Sequence, residues 1–265
     1  IPATPLEATP DMTERSTGLV SVVMPTYNSA EFIEESIQSV QAQTYRYWEL
    51  ILVDDCSTDD TELIVARIAD LDHRIRYHRL AVNSGAAIAR TKAMELAAGQ
   101  YIAFLDSDDL WRPDKLARQL EFLQRTGARI VCTAYDHIDE AGTPIGRRVH
   151  KPKKHADYND VLLSCPIGNS SVLFDAGTLG IFVVPNIRKR NDDALWLQML
   201  KKEKYILGMS DVLMSYRVRA NSISANKWSL VRYHWTLYRD IEHLSVPRSA
   251  FHIVVWGALK TLRIK

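Results

Sequence analysis

Four short apolar runs punctuate the first half of the chain: Leu19 to Met24, Glu49 to Val53, Tyr101 to Leu105 and Arg129 to Cys132. Runs of this length and composition fit strands buried on both faces. Between them the period changes. Ile33, Ile37 and Val40 recur at i, i+4 and i+7, and Ile64, Ile68 and Leu71 do the same behind a Ser57 N-cap. Leu116, Leu120 and Leu123 follow Pro113 at a first helical turn and stop at Gly127. Strand, helix, strand, helix predicts an α/β fold with a mostly parallel central sheet flanked by helices.

In such sheets the ligand crevice lies beyond the carboxyl ends of the strands, and the polar clusters fall there. Pro25-Thr-Tyr-Asn28 follows the first run, Asp54-Asp-Cys-Ser-Thr-Asp59 the second, and Asp106-Ser-Asp-Asp109 the run at Tyr101. Three strand ends with polar or acidic groups predict one site. From Asp136 to about Pro166 the pattern dissolves into a polar, basic stretch read as a loop, including Arg147-Arg-Val-His-Lys-Pro-Lys-Lys154. An apolar patch from Ser171 to Phe174 and a helical run from Asp192 to Lys201 follow. The expected organisation is a flexible arm at 1–17, a nucleotide-sugar-binding lobe at 18–134, an acceptor lobe of the same domain at 135–225, and a C-terminal helical segment at 226–265.

Composition narrows the function. With 46% hydrophobic and 25% charged residues the chain reads as an ordinary globular protein, and a formal charge of +1 removes any whole-chain case for nucleic acid. Cys56, Cys132 and Cys165 form no CxxC pair, so zinc and redox sites are not expected and the thiols read as those of a reduced, cytoplasmic protein. Ile1 to Thr17 lacks the apolar core of a secretory signal. No run approaches the ~18 apolar residues of a membrane span. The stretch from Phe251 to Leu259 is nevertheless apolar, with Arg248, Lys260, Arg263 and Lys265 around it. It reads either as a segment lying on the inner face of the cell membrane or as a helix packed on the domain.

The sharpest chemical feature is Asp106-Ser-Asp108. Two carboxylates at i and i+2 past a strand point the same way. Mg²⁺ or Mn²⁺ is commonly held by one or two carboxylates, with substrate phosphates completing its shell. Asp54 and Asp55 leave a second strand end, where either can accept from a base N–H or cap the next helix. Tyr27 offers an aromatic face for a base.

Together these positions resemble the family 2 glycosyltransferases, an inverting family with the A-type nucleotide-sugar-binding fold. The resemblance covers about residues 19 to 225. It rests on Val22-Val-Met-Pro-Thr-Tyr-Asn28, Val53-Asp-Asp-Cys-Ser-Thr-Asp-Asp-Thr61, Asn83-Ser-Gly-Ala-Ala-Ile-Ala-Arg90, Phe104-Leu-Asp-Ser-Asp-Asp109 and Asn191-Asp-Asp-Ala-Leu-Trp196. It implies that Tyr27, with Pro25 in the same motif, contacts the nucleotide base, that Asp55 hydrogen-bonds the base, and that Asp106 holds the ribose. It further implies that Asp108 binds Mn²⁺ or Mg²⁺ bridging the diphosphate and that Arg90 lies near the nucleotide. Asp192 would be the catalytic base, with Asn191 where relatives have Glu and Asp193 its adjacent competitor. Arg217 in Tyr216-Arg-Val-Arg219, with Ser222 and Ser224 nearby, would contact the diphosphate.

The donor implied by the resemblance is a UDP-sugar, and the acceptor a glycan or lipid-linked glycan of a surface polysaccharide. Processive relatives carry Gln-x-x-Arg-Trp, which this chain lacks, so addition of a single sugar is implied. Two other readings stand beside it: a haloacid-dehalogenase-like phosphohydrolase using the Asp-x-Asp, and a nucleotide-sugar-binding protein without catalysis.

Overall fold

The computed structural model describes residues 15–146, 149–219 and 227–261. The arm up to residue 14, Arg147, Arg148, Ser222, Ser224, Arg263 and Lys265 lie outside the described residues. The N-terminal half alternates β1 (Ser16–Thr26), α1 (Ile33–Gln41), β2 (Trp48–Asp54), α2 (Thr61–Ala69), β3 (Ile75–Arg79), α3 (Ala86–Leu96) and β4 (Gly99–Phe104). β1 pairs in parallel with both β2 and β4, and β2 with β3. The apolar runs predict β1, β2 and β4 with α1 and α2 following the first two; β3 is not among them. The physical basis of the alternation is burial on both faces: Val22 and Met24 enter one apolar cluster with α1 and α4 (Lys115–Thr126), while Val23 enters the other, beneath α3.

The second half departs from a parallel order. After the short β5 (Leu110–Trp111) and α4, strand β6 (Ile130–Ile138) runs three residues past the start of the expected loop. The rest of that loop contains β7 (His155–Ala156) and a seven-residue helix, α5 (Tyr158–Ser164), opened by a capping box at Asp157 and Asp160. β8 (Leu173–Asp175) then inserts antiparallel between β4 and β6. The order is β3-β2-β1-β4-β8-β6-β9-β5, with β7 also on β9 (Ile206–Arg217). The sheet is mixed, and residue 134 falls inside β6, so one sheet spans both halves. Three shorter helices complete the chain around it: α6 (Ala176–Leu179), α7 (Asn191–Leu200) and α8 (Lys227–Thr236), with α9 (Val246–Thr261) behind them.

One local expectation is corrected. Ser57 does not cap α2: its hydroxyl donates to Asp54 Oδ1 at 2.6 Å, and the helix starts later, at Thr61, burying Val65 while Leu71 stays 87% exposed. The apolar residues of α9 do not share a face. Trp256 packs inward with its ring 4.4 Å from His234, whereas Phe251 and Val254 are 60% and 69% exposed one turn apart. Among the described residues no helix is long and apolar enough to cross a membrane.

Strand β4 enters the sheet through a close approach at Gly99, where a Cβ would lie 2.5 Å from Leu19 O and 2.7 Å from Ser21 Oγ. The contact is with backbone and a buried hydroxyl, so nothing can move aside cheaply. Gly99→Ala is expected to lower stability by about 1–3 kcal/mol, read as a lower midpoint of urea unfolding with an unchanged slope.

Candidate active site

The loops leaving β1 and β2 are stapled to each other. Asn28, at φ 47°, donates its N–H to Ser57 Oγ (2.8 Å) and accepts from the Thr58 N–H on its side-chain oxygen (2.8 Å). Ser29 N–H donates to Thr61 Oγ1 at 2.8 Å. The result fixes Pro25, buried at the end of β1, and presents Tyr27, 49% exposed, above the strand ends.

The two acidic residues after β2 separate in role. Asp54 is enclosed and accepts from Ser57 N–H, Ser57 Oγ and the Tyr77 hydroxyl (2.9, 2.6 and 2.5 Å), so it is a structural acceptor. Burial, then the Asp54 carboxylate, pushes the Tyr77 hydroxyl's pKa up. Asp55 accepts the N–H groups of Ser84 (2.6 Å) and Gly85 (2.7 Å), one on each oxygen, which pins the loop into α3. A carboxylate has about four lone-pair sites, so capacity remains for a base N–H. Gly85 is in the positive-φ region (+96°), where a side chain would be strained.

Beyond β4, Asp106, Asp108 and Asp109 crowd into four residues. Asp106 Oδ1 accepts from Asn169 Nδ2 (2.7 Å) and Arg90 Nη2 (3.2 Å), while its N–H donates to Ser170 Oγ (3.0 Å). Asp108 pairs with Arg219 Nε at 3.0 Å. Asp109 is buried, accepting from Ser170 Oγ (2.6 Å) and the Arg217 N–H (3.0 Å). Burial raises the pKa of all three. Asp106 is also raised by Asp192 and lowered by Arg90, Asp108 is raised by Asp106, and Asp109 stands well above the carboxylate range under repulsion from both neighbours.

This site fits a hard divalent cation. The donors are carboxylate oxygens whose mutual repulsion a cation would relieve, and among the described residues no group of three or more His, Cys, Asp or Glu closes a protein-only cage. That is the environment in which Mg²⁺ or Mn²⁺ takes phosphate oxygens for the remainder of its shell.

The arginines sort differently from expectation. Arg90 is buried on α3, its Nη1 on Asn191 Oδ1 (2.7 Å) and its Nη2 on Asp106, so it bridges the acidic turn to the start of α7. Arg217, expected at the diphosphate, is fully enclosed. It donates to the carbonyls of Asp108 (2.8 Å), Asp139 (3.3 Å) and Glu140 (2.7 Å) and to Glu35 Oε2 (2.7 Å), over the Phe32 ring. It is the last residue of β9 and belongs to the frame. Arg219, two residues on and one-third exposed, is the cation that reaches the Asp108 carboxylate.

The two candidate bases also separate. Asp193 is buried and paired with Arg190 Nε at 2.7 Å. Asp192 is partly exposed on α7, close enough to Asp106 to raise its pKa. Sequence reasoning missed Asn169 and Ser170, whose side chains hold Asp106 and Asp109. The one available signal was the polar triplet after Gly168, set between apolar residues.

A mixed sheet with an Asp-x-Asp at the carboxyl end of a central strand defines an A-type glycosyltransferase fold. The profile of the family described as Glycosyl transferase family 2 matches residues 21–174. A Bacillus subtilis (strain 168) protein named as a teichuronic acid biosynthesis glycosyltransferase, TuaG, is 43% identical over 239 residues, 90% of this chain and 94% of its own. An Escherichia coli protein named UDP-Glc:alpha-D-GlcNAc-diphosphoundecaprenol beta-1,3-glucosyltransferase WfgD is 36% identical over 84% of this chain and 86% of its own. The chain belongs to glycosyl transferase family 2 and is a sugar-transferring enzyme, which sets aside the phosphohydrolase reading. Among solved structures, Staphylococcus aureus TarS 1-349 in complex with UDP-GlcNAc shares the fold at TM-score 0.66 and 20% identity, over 93% of this chain and 76% of that one. A Pyrobaculum calidifontis mannosyltransferase in complex with GDP-Man and Mn²⁺ does so at TM-score 0.61 and 22% identity, over 97% and 73%.

The two arginines give opposite expectations. Arg217→Met strands three backbone carbonyls and is expected to destabilise the fold by about 3 kcal/mol or more, seen as a large fall in Tm. Arg219→Met removes a partly exposed cation from Asp108; it is expected to lower Tm much less than Arg217→Met and to weaken UDP binding measured by calorimetry.

Proposed function

We propose that this enzyme transfers a single sugar from a UDP-sugar to a hydroxyl of a lipid-linked glycan, with inversion at the anomeric carbon, at the cytoplasmic face of the cell membrane. The observation that carries it is that Asp192, partly exposed at the head of α7, lies near enough to Asp106 to raise its pKa, while Asp193 is buried and tied to Arg190. The names of WfgD and of the TarS complex support a UDP donor, and that of WfgD supports a lipid diphosphate acceptor. The exposed Phe251 and Val254 of α9 support contact with the bilayer that carries such an acceptor.

In this reading residues 18–134 hold the donor and 135–225 the acceptor. Pro25 and Tyr27 line the base, Asp55 accepts its N–H, and Asp106 accepts from the ribose. Asp108 holds Mn²⁺ or Mg²⁺, which when bound supplies positive charge to the leaving diphosphate. Arg219 adds a second positive charge there, the part first assigned to Arg217, and Arg90 acts from behind by fixing Asp106.

Asp192 accepts the proton of the acceptor hydroxyl as that oxygen bonds to C1. The bond from C1 to the phosphate oxygen breaks, and its electron pair leaves with UDP. An alcohol is far less acidic than a carboxylic acid, so the proton moves as the C1–O bond forms, and placement of the carboxylate matters more than its pKa.

Asp192→Asn is expected to keep UDP affinity and to lose transfer by about 10²- to 10⁴-fold. Asp193→Asn should lower Tm and retain turnover of the folded fraction. A dead but stable Asp193→Asn, or a product with the donor's anomeric configuration, overturns the assignment. UDP binding should also require Mn²⁺ or Mg²⁺. Calorimetric affinity that is unchanged by EDTA and by Asp108→Ala would remove the metal from this reading.

A further inference from the structure

Lys115 is a cation that the proposed chemistry does not use. It lies in the first turn of α4 with no exposed surface, its Nζ donating to Gln119 Oε1 at 2.7 Å and lying 3.9 Å from the centre of the Trp111 ring. No carboxylate pairs with it among the described residues, and burial holds its pKa well below the usual lysine range. The position is unfavourable three times over: desolvated, without a counter-ion, and at the positive end of a helix. A residue so placed contributes little to stability through its charge, and methionine would fill the same volume without that penalty.

Its partners lead to the acidic turn. Gln119 turns its other end to the backbone, donating Nε2–H to Ser171 O at 2.9 Å, and Trp111 donates Nε1–H to Ser170 O at 2.8 Å. The Gly168–Ser171 turn is thus held from below by α4 and β5, while its upper side supplies Asn169 to Asp106 and Ser170 to Asp106 and Asp109. An amide side chain can rotate and exchange its oxygen and nitrogen. Lys115 Nζ donates to the Gln119 oxygen and the Ser171 carbonyl accepts from its N–H₂, so the two ends of the amide are fixed together.

We infer that Lys115 is a positioning residue for the donor site: by orienting Gln119 beneath the Gly168–Ser171 turn, together with Trp111, it sets where Asp106 and Asp109 stand. The inference rests on the reading of Asp106 as a donor-site residue.

The experiment compares Lys115→Met, Gln119→Met and the double variant in full-length protein, reading Tm and Mn²⁺-dependent UDP affinity. Lys115→Met removes an unpaired buried amine but leaves the buried Gln119 Oε1 without its donor, so the two effects on Tm oppose each other, while UDP binding is expected to weaken by roughly tenfold, since small displacements of positioned groups are costly. The double variant should bind little worse than either single one, because both break one path. Trp111→Phe, which keeps a smaller aromatic ring and removes the donor, should act in the same direction and does not depend on Lys115→Met folding. UDP affinity within twofold of wild type in Lys115→Met and Trp111→Phe, or losses that simply follow Tm, would overturn the role. An Asp106→Asn variant that binds UDP like wild type would instead overturn the donor-site reading, whatever the Lys115 variants do.

Discussion

The arrangement turns on the repulsion among three carboxylates placed within five residues of a strand end. Asp106, Asp108 and Asp109 are held in a setting where burial already favours their neutral forms; Asp106 raises Asp108 further, and both raise Asp109. Buried charge of this kind persists only where fixed donors or opposite charges meet it. Here they come from distant parts of the chain. Arg90 arrives on α3, Asn169 and Ser170 from the turn before β8, and the Arg217 N–H from the end of β9.

The departure from a parallel sheet follows from that requirement. A parallel strand beside β4 would bring its own carboxyl end to the site, with another loop to place. β8 runs the opposite way, so the turn before it, Gly168–Ser171, is what reaches the carboxyl end of β4. The turn brings hydroxyl and amide donors to the carboxylates, and at Gly168 the backbone passes so close to Tyr135 that a Cβ would lie 2.8 Å from the ring. β6 and β9 then resume parallel pairing, which returns the Arg217 end of β9 to the same edge.

How much of this the sequence announces depends on the range of the interaction. The first three parallel neighbours of the sheet's centre were legible because Val22 to Met24, Leu50 to Val53 and Ile102 to Phe104 are buried on both faces, and the acids follow directly after two of these runs. β9 was not legible, because Gly208, Ser210 and Asp211 interrupt its apolar pattern and its register with β6 shifts near Ala134. Asn169 lies 63 residues from Asp106, and no local pattern links them. Arg217 and Arg219 are equivalent by composition. Only the end of β9 at Arg217 decides that the first is walled in by the Asp139 and Glu140 carbonyls and the second is left beside Asp108.

The same reasoning gives a meaning to Asn191, where the resemblance leads one to expect glutamate. Arg90 is buried and divides its guanidinium between Asn191 and Asp106. A glutamate at 191 would be an anion competing for that cation, and Arg90 would be shared between two charges. With a neutral amide there, the only carboxylate paired with Arg90 among the described residues is Asp106. The charge of Asp192 opposes the ionisation of that carboxylate. In the proposed mechanism the asparagine therefore takes nothing from the base: it leaves the Arg90 charge to Asp106, and it places a neutral residue before Asp192 at the head of α7.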